Sequence, residues 1–355
     1  MSSLIVEVCK VIKIEKHPNA DKLDIATVKG WSCIVGKDNY KVGDLVIYCP
    51  PDSIIPDSII DQYKLEFLKK NGRVGTIKLR KYISQGLILN IPEGKKWKEN
   101  KEVSKELGIT KYEPPVSRMS LNGGQKPTKK KANPLFDKYT DIENIKNYNT
   151  VFEDGDEVVV TEKIHGTNFR AGNLLRYKNN LLGKIMGFFF GEYEFVYGSH
   201  RVQKTVTNRK MGFYGEDVYG KIAKKYNLKE IIPEDYILYG EIYGKGIQEL
   251  EYGMEDIDVV FFDVKYKGEY LDYREFWLFC DKRKLPIVPI LSMALYKENE
   301  LSGFTEGNST LASSQIREGC VIKSLIEENN HRVGRKILKS INTEYLCNKN
   351  RTEFH

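Results

Sequence analysis

The chain has 355 residues, enough for two domains with sizeable cores, and its 41% hydrophobic and 30% charged residues exclude a fibrous or wholly disordered protein. It holds no apolar run of about 18 residues, so a membrane-spanning helix is not expected, and Met1-Ser2-Ser3-Leu4 runs straight into a strand-like segment without a signal-peptide pattern. The net charge of +7 permits a polyanionic partner without demanding one.

Residues 1–112 alternate short β-like runs with turns: Leu4–Ile14, Asp24–Val28, Trp31–Val35, Asp44–Cys49, Arg73–Leu79 and Gly86–Leu89. Short strands at this spacing predict a small barrel. His17-Pro18-Asn19-Ala20-Asp21-Lys22-Leu23 reads as a strand-to-strand turn, since Pro, Asn and Asp all favour turns. A helix is expected over Gln62–Asn71. Lys78, Arg80 and Lys81 form either a basic face or an ordinary charged strand face. Residues 113–134, rich in Pro, Ser, Gly, Asn and Lys, read as a linker, with Lys126-Pro127-Thr128-Lys129-Lys130-Lys131 as its solvated basic run.

Beyond the linker, Thr140–Ile145 predicts a short capped helix and Gly212–Tyr226 a longer one, while Asn299–Gly307 reads as a loop. Gly187-Phe188-Phe189-Phe190-Gly191 is an aromatic cluster, either packed in a hairpin or offered to a partner. The six cysteines include no C-x-x-C pair and mostly sit in apolar runs, which suits buried thiols in a reducing, intracellular compartment. Five histidines without H-x-x-x-H spacing make a structural zinc site unexpected.

The most informative stretch is Thr161-Glu162-Lys163-Ile164-His165-Gly166-Thr167-Asn168-Phe169. The β-branched run Val158-Val159-Val160 predicts a buried strand that ends at Lys163. A lysine where a core strand stops can be partly desolvated, which frees its amine as a nucleophile. Gly166 allows a sharp turn or a close approach of backbone to phosphate. Taken alone, such a lysine is better read as a surface residue at a strand end.

Lys-x-His-Gly resembles motif I of the covalent nucleotidyltransferases, in the form found among RNA ligases. Further stretches resemble the remaining motifs in order: Ser199-His200-Arg201, Tyr239-Gly240-Glu241-Ile242-Tyr243-Gly244, Val260-Phe261-Phe262-Asp263-Val264, Glu318-Gly319-Cys320-Val321-Ile322-Lys323, and Ile337-Leu338-Lys339-Ser340-Ile341-Asn342. The His17–Leu23 stretch resembles the opening of OB-fold tRNA-binding modules. The chain as a whole resembles the fifth RNA ligase family, in which an N-terminal OB-fold precedes the nucleotidyltransferase domain. DNA ligases and capping enzymes carry that barrel after the catalytic domain, and here only a short tail follows the last motif.

The resemblance implies an α+β fold: an OB-fold β-barrel over 1–112, a linker over 113–134, and an antiparallel-sheet, ATP-grasp-like ligase domain over 135–355. It implies ATP-dependent sealing of RNA 3′-hydroxyl and 5′-phosphate ends, nicked duplexes foremost, in RNA repair. The intermediates would be lysyl-AMP on Lys163 and then RNA-adenylate, with Mg²⁺ or Mn²⁺ as the metal. His165, Arg201 and Lys339 join Lys163 as catalytic candidates. Glu162, Gly166, Asn168, Glu241, Phe262, Lys323 and Lys339 are the nucleotide-binding candidates, with Glu241 on the ribose and Phe262 stacked on adenine. Glu318 would organise a hydrated metal ion. Phe261, on the other side of its strand, should be core. A monomer without membrane contact is expected. One departure stands out: many relatives carry Lys-x-Lys in the last motif, and Ile341 holds the second position here. Another covalent nucleotidyltransferase, namely a DNA ligase or a guanylyltransferase, and a non-catalytic OB-fold RNA-binding protein are the competing readings.

Overall fold

A computed structural model describes residues 4–112, 132–176, 191–200, 202–205, 216–348 and 351. The chain divides into two compact units. The first comprises Met1–Pro115, Asp141–Glu153 and Leu338–His355, and the second Val116–Thr140 and Asp154–Ile337.

The first unit is built on a five-stranded antiparallel sheet in the order Trp31–Gly36, Leu23–Val28, Glu7–Lys16, Leu45–Cys49, Leu87–Asn90. Glu7–Lys16 serves both halves, pairing with Leu45–Cys49 through Glu7–Lys10 and with Leu23–Val28 through Val11–Lys16, with a register shift between Val11 and Lys13. Such an irregularity bends a strand, which lets one sheet curl towards a barrel. Alternate side chains then face inward, among them Val6, Val8, Ile47 and Leu89 on one side and Val11, Ala26, Val28 and Trp31 on the other. The expected turn is present between Lys16 and Leu23.

The helix expected over Gln62–Asn71 lies earlier, at Asp57–Gln62. Pro56 precedes it, Asp57 suits its positive N-terminal end, and Ile59 and Ile60 supply its buried face. Lys64, at φ 55°, breaks it, and only a 3₁₀ turn at Glu66–Leu68 follows. The segment 141–153 is fastened to this unit by polar contacts. Asn147 Oδ1 accepts from Trp31 Nε1 at 2.8 Å, and Lys146 Nζ donates to Gln85 Oε1 at 2.6 Å. The helix expected at Thr140–Ile145 is instead a two-residue strand, Glu143–Asn144, and a 3₁₀ turn at Ile145–Asn147 that Asn144 caps. Glu143–Asn144 pairs in parallel with Leu338 and Lys339.

The second unit holds a six-stranded antiparallel sheet in the order Gln203–Thr205, Tyr193–Gly198, Thr167–Leu175, Tyr236–Gly244, Ile257–Tyr266, Glu269–Tyr270. Its other sheet places Glu157–Lys163 between Gly319–Ser324 and Ile290–Leu295, again antiparallel. Phe169, Leu238, Ile242, Val259 and Phe261 share one core with Val159 and with residues of the helices Val218–Lys225 and Tyr273–Asp281. Asn299–Gly307 is no plain loop: a 3₁₀ turn at Glu298–Glu300 leads into a short helix at Leu301–Thr305. The helix expected from Gly212 is described from Val218 onward. Phe188, Phe189 and Phe190 lie outside the described residues.

Candidate active site

Lys163 ends its strand as the sequence predicts, with Val158, Val159 and Val160 buried behind it. The neighbouring ladder sets Lys163 opposite Gly319, which brings Glu318 alongside. Lys163 Nζ lies 2.6 Å from Glu318 Oε1. Glu318 is buried, which by itself would raise its carboxyl. Lys163, and after it His165, outweigh that and hold it at about 2. Glu318 is therefore an ionised ion-pair partner and a weak base.

The turn after Lys163 is fixed by one backbone contact and by one close approach that only glycine allows. Tyr252 Oη accepts from the His165 backbone N–H at 2.7 Å. His165 is buried, with Nδ1 3.7 Å from Glu318 Oε2, too long for a hydrogen bond. A Cβ at Gly166 would press into the Ile242 carbonyl and meet Glu241 Cγ, so glycine is required for the turn to lie on the Tyr236–Gly244 strand. Asn168 and Glu241 are direct cross-strand partners. Their side chains thus project from one face, opposite the face that carries Phe169 and Ile242 into the core.

Glu241 is half-buried. Burial raises its carboxyl to about 8, ahead of the opposing pull of Lys163 and a further push from Glu318. Two carboxyls beside one lysine therefore rest in different states at neutral pH, Glu318 charged and Glu241 mostly protonated. Among the described residues, two buried oxygens at this place, Glu318 Oε2 and Asn168 Oδ1, have no hydrogen-bond partner. Hard oxygen donors of this kind suit Mg²⁺ or Mn²⁺. Among the described residues no cluster of three His, Cys, Asp or Glu side chains is set to hold a metal. The residues thus fit an ion that keeps most of its water rather than one caged by protein.

Glu162 and Lys323 are held by other partners. The carboxylate of Glu162 points away from the Lys163 side of the strand and holds a loop, accepting from the Thr310 backbone N–H at 2.8 Å and from the Thr310 hydroxyl. Lys323 pairs with Val159, four residues along the strand from Lys163, or about 13 Å at strand rise. Its ammonium is 3.0 Å from Asp263 Oδ1 and 3.1 Å from Glu327 Oε1. Lys339 is buried in the first unit, on the strand beside Asn144. Lys336 is ion-paired with Asp156 at 2.9 Å and with Glu328 at 3.2 Å. Arg201 lies outside the described residues.

Phe261 is fully buried in the core. Phe262 is half-buried at a register shift, because Tyr239 pairs with Asp263 while Gly240 pairs with Phe261. The extra residue lets Phe262 meet Tyr139 edge-on, ring centroids 4.8 Å apart.

A buried polar network beneath Phe262 goes beyond what the sequence displays. Asp263 Oδ2 accepts from Tyr139 Oη at 2.9 Å and lies 2.6 Å from Arg335 Nη2, and Arg335 is also paired with Glu327. Burial alone would raise the Asp263 carboxyl, but Arg335 and Lys323 together bring it below its ordinary value. The one signal available was a charged residue in an otherwise apolar strand, Val259–Val264. Its partners sit far away in the chain.

A family model described as RNA ligase matches residues 156–341, more than half of the chain. This chain belongs to the RNA ligase family. A second model, described as an OB-fold domain, matches residues 5–91. Among solved structures, a lysine-to-alanine variant of the Naegleria gruberi RNA ligase with ATP and Mn is 25% identical, with a TM-score of 0.74 over 98% of this chain and 100% of that one. A glutamate-to-alanine variant of the same ligase with AMP and Mn gives the same identity, TM-score and coverage. No curated protein matches the chain. The order of OB-fold and RNA ligase domain is that expected of the fifth RNA ligase family. Among the described residues no helix is long and apolar enough to cross a membrane.

Proposed function

We propose that this RNA ligase family member joins RNA 3′-hydroxyl and 5′-phosphate ends at the expense of ATP, on nicked duplexes and in RNA repair, acting as a monomer. The observation that carries the reading is the Lys163–Glu318 pair, set beside a glycine turn that seats Asn168 against Glu241. ATP and Mn accompany the Naegleria gruberi ligase in one of its solved structures, which supports the same nucleotide and metal class here.

In the first step Lys163 Nζ attacks the α-phosphorus of ATP. The ion-paired ammonium first loses one proton to become a neutral amine; the N–P bond then forms, the bond to pyrophosphate breaks, and the nitrogen gives up a second proton. Glu318, held near 2, is a poor acceptor for either proton. Its role is to hold Nζ in place until substrate binds. In the second step a 5′-phosphate oxygen attacks the α-phosphorus and the Lys163 amine leaves. In the third the 3′-hydroxyl oxygen attacks the 5′-phosphorus and AMP departs. Little covalent work falls to the protein in phosphoryl transfer, so positioning and charge neutralisation carry the catalysis.

Glu241, protonated at neutral pH, is suited to donate a hydrogen bond to a ribose hydroxyl. Phe262 offers a half-exposed ring to adenine. Glu318 Oε2 and Asn168 Oδ1 would hold a hydrated Mg²⁺ or Mn²⁺, which neutralises charge on the phosphates when bound. Arg201 and Lys339 remain candidates for phosphate contact. Lys323 would contribute through the network that fixes Asp263 beneath Phe262. The buried free cysteines suit a reducing compartment.

The test is to incubate the purified protein with ATP or GTP and divalent metal and to measure intact mass. A gain of one AMP from ATP supports the reading. A gain from GTP alone would instead indicate a guanylyltransferase.

A further inference from the structure

The hairpin formed by Thr76–Leu79 and Tyr82–Gln85 reverses in two residues, Arg80 and Lys81. Both have positive φ, 46° and 77°. A two-residue turn with both residues left-handed is normally filled by Asn-Gly or Asp-Gly, because a side chain is strained there. Here two long cations occupy it, and both are exposed. Among the described residues neither has an ion-pair partner, whereas nearby Lys78 is engaged by Glu344 at 3.1 Å. Strain held at two adjacent charged residues points to use rather than folding, since a different pair would fold the turn better.

The tip is braced from the side. Asn19 Nδ2 donates to the Arg80 carbonyl at 3.1 Å. The Asn19 backbone N–H donates in turn to His17 Nδ1 at 3.1 Å, and the buried His17 ring meets Tyr82 edge-on at 5.0 Å. The His17–Leu23 turn thus buttresses the hairpin. Around the tip Ile77, Leu79 and Tyr82 remain exposed at 45%, 38% and 36%. Paired cations beside an exposed aromatic match the needs of a polynucleotide, which offers phosphates to the charges and flat faces to the ring.

We propose that Arg80 and Lys81 form a phosphate grip for the RNA strand, with Tyr82 against its sugar or base, and that Asn19 and His17 are positioning residues for that grip. The proposal rests on the RNA ligase reading above and assigns its substrate contact to one hairpin.

The experiment compares the full chain with the double substitution R80N/K81G, which gives the turn its preferred sequence. Melting temperature should hold or rise. The Kd for a nicked RNA duplex should rise about 10-fold at physiological salt, and the slope of log K against log salt should fall by about two, roughly 0.9 for each phosphate no longer neutralised. The charge-retaining R80K/K81R should restore both. N19A, which removes no charge, should weaken binding several-fold. Unchanged affinity and slope in R80N/K81G would overturn the grip, and so would a lower melting temperature, since the turn sequence would then serve stability. The underlying reading is checked separately: wild-type protein that gains no AMP from ATP fails as a ligase whatever the hairpin does.

Discussion

Lys163 Nζ sits 2.6 Å from Glu318 Oε1, and Glu318 is buried and ionised, so the proposed nucleophile is stored in an ion pair. Storage has two consequences. It orients the amine at the strand end, and it makes Glu318 depend on Lys163 for its charge.

Removing one partner should therefore be felt in stability as well as in activity. Lys163→Met leaves the Glu318 carboxyl buried without its partner, either taking up a proton or staying charged and unpaired, which costs on the order of 1–3 kcal/mol. Adding Glu318→Gln should recover most of the lost melting temperature although neither variant is active. Glu318→Gln alone should slow AMP transfer to the protein by about 10²–10³, the scale for removing one preorganised electrostatic group. Thermal melts and single-turnover labelling check both parts. Additive losses in the double variant would contradict the pairing.

Glu241 gives a pH prediction. Its folded carboxyl, near 8, lies above the ordinary carboxylate value of 4.5, so the folded protein holds a proton that the unfolded chain releases. Glu241 thus makes folding progressively less favourable as pH rises from about 4.5 to 8. Glu241→Gln removes that penalty. Its melting temperature should match wild type near pH 4.5 and exceed it by a few degrees at pH 8, for about 1–3 kcal/mol once partial exposure is discounted. The same substitution should raise the ATP concentration needed for labelling. A melting difference that stays flat across this range would remove Glu241 as the titrating group.

Phe261 and Phe262 should separate cleanly. Phe262→Ala should raise the ATP requirement, with stacking worth roughly 1–3 kcal/mol. Phe261→Ala empties a fully buried site and should cost about 3–5 kcal/mol of stability. ATP titrations and denaturant unfolding distinguish them, and an exchange of the two effects would place adenine on the other face of the strand.

The legible parts of this molecule are those where local pattern and chemistry agree. Val158, Val159 and Val160 announce a buried strand, and the glycine soon after it announces a turn. Glu241 and Glu318 follow from motif order. The bulge at Phe262 was not legible, because a regular alternation of two faces is the only period a strand sequence displays. Nor was the Asp263–Arg335–Lys323 network, whose members meet only through tertiary packing. The helices at Asp57–Gln62 and Leu301–Thr305 are too short for propensity to fix, so their buried contacts decide them. Fastening of 141–153 to the barrel depends on Trp31 and Gln85 more than 60 residues away.

The most direct measurement is the intact mass of wild-type and Lys163→Ala protein after incubation with ATP and Mn²⁺, followed by peptide mapping. Wild type should gain one AMP on the peptide carrying Lys163, stable to denaturation, and Lys163→Ala should gain none, because the intermediate is a covalent bond to that amine. AMP on the alanine variant, or on another residue of the wild type, would contradict the account.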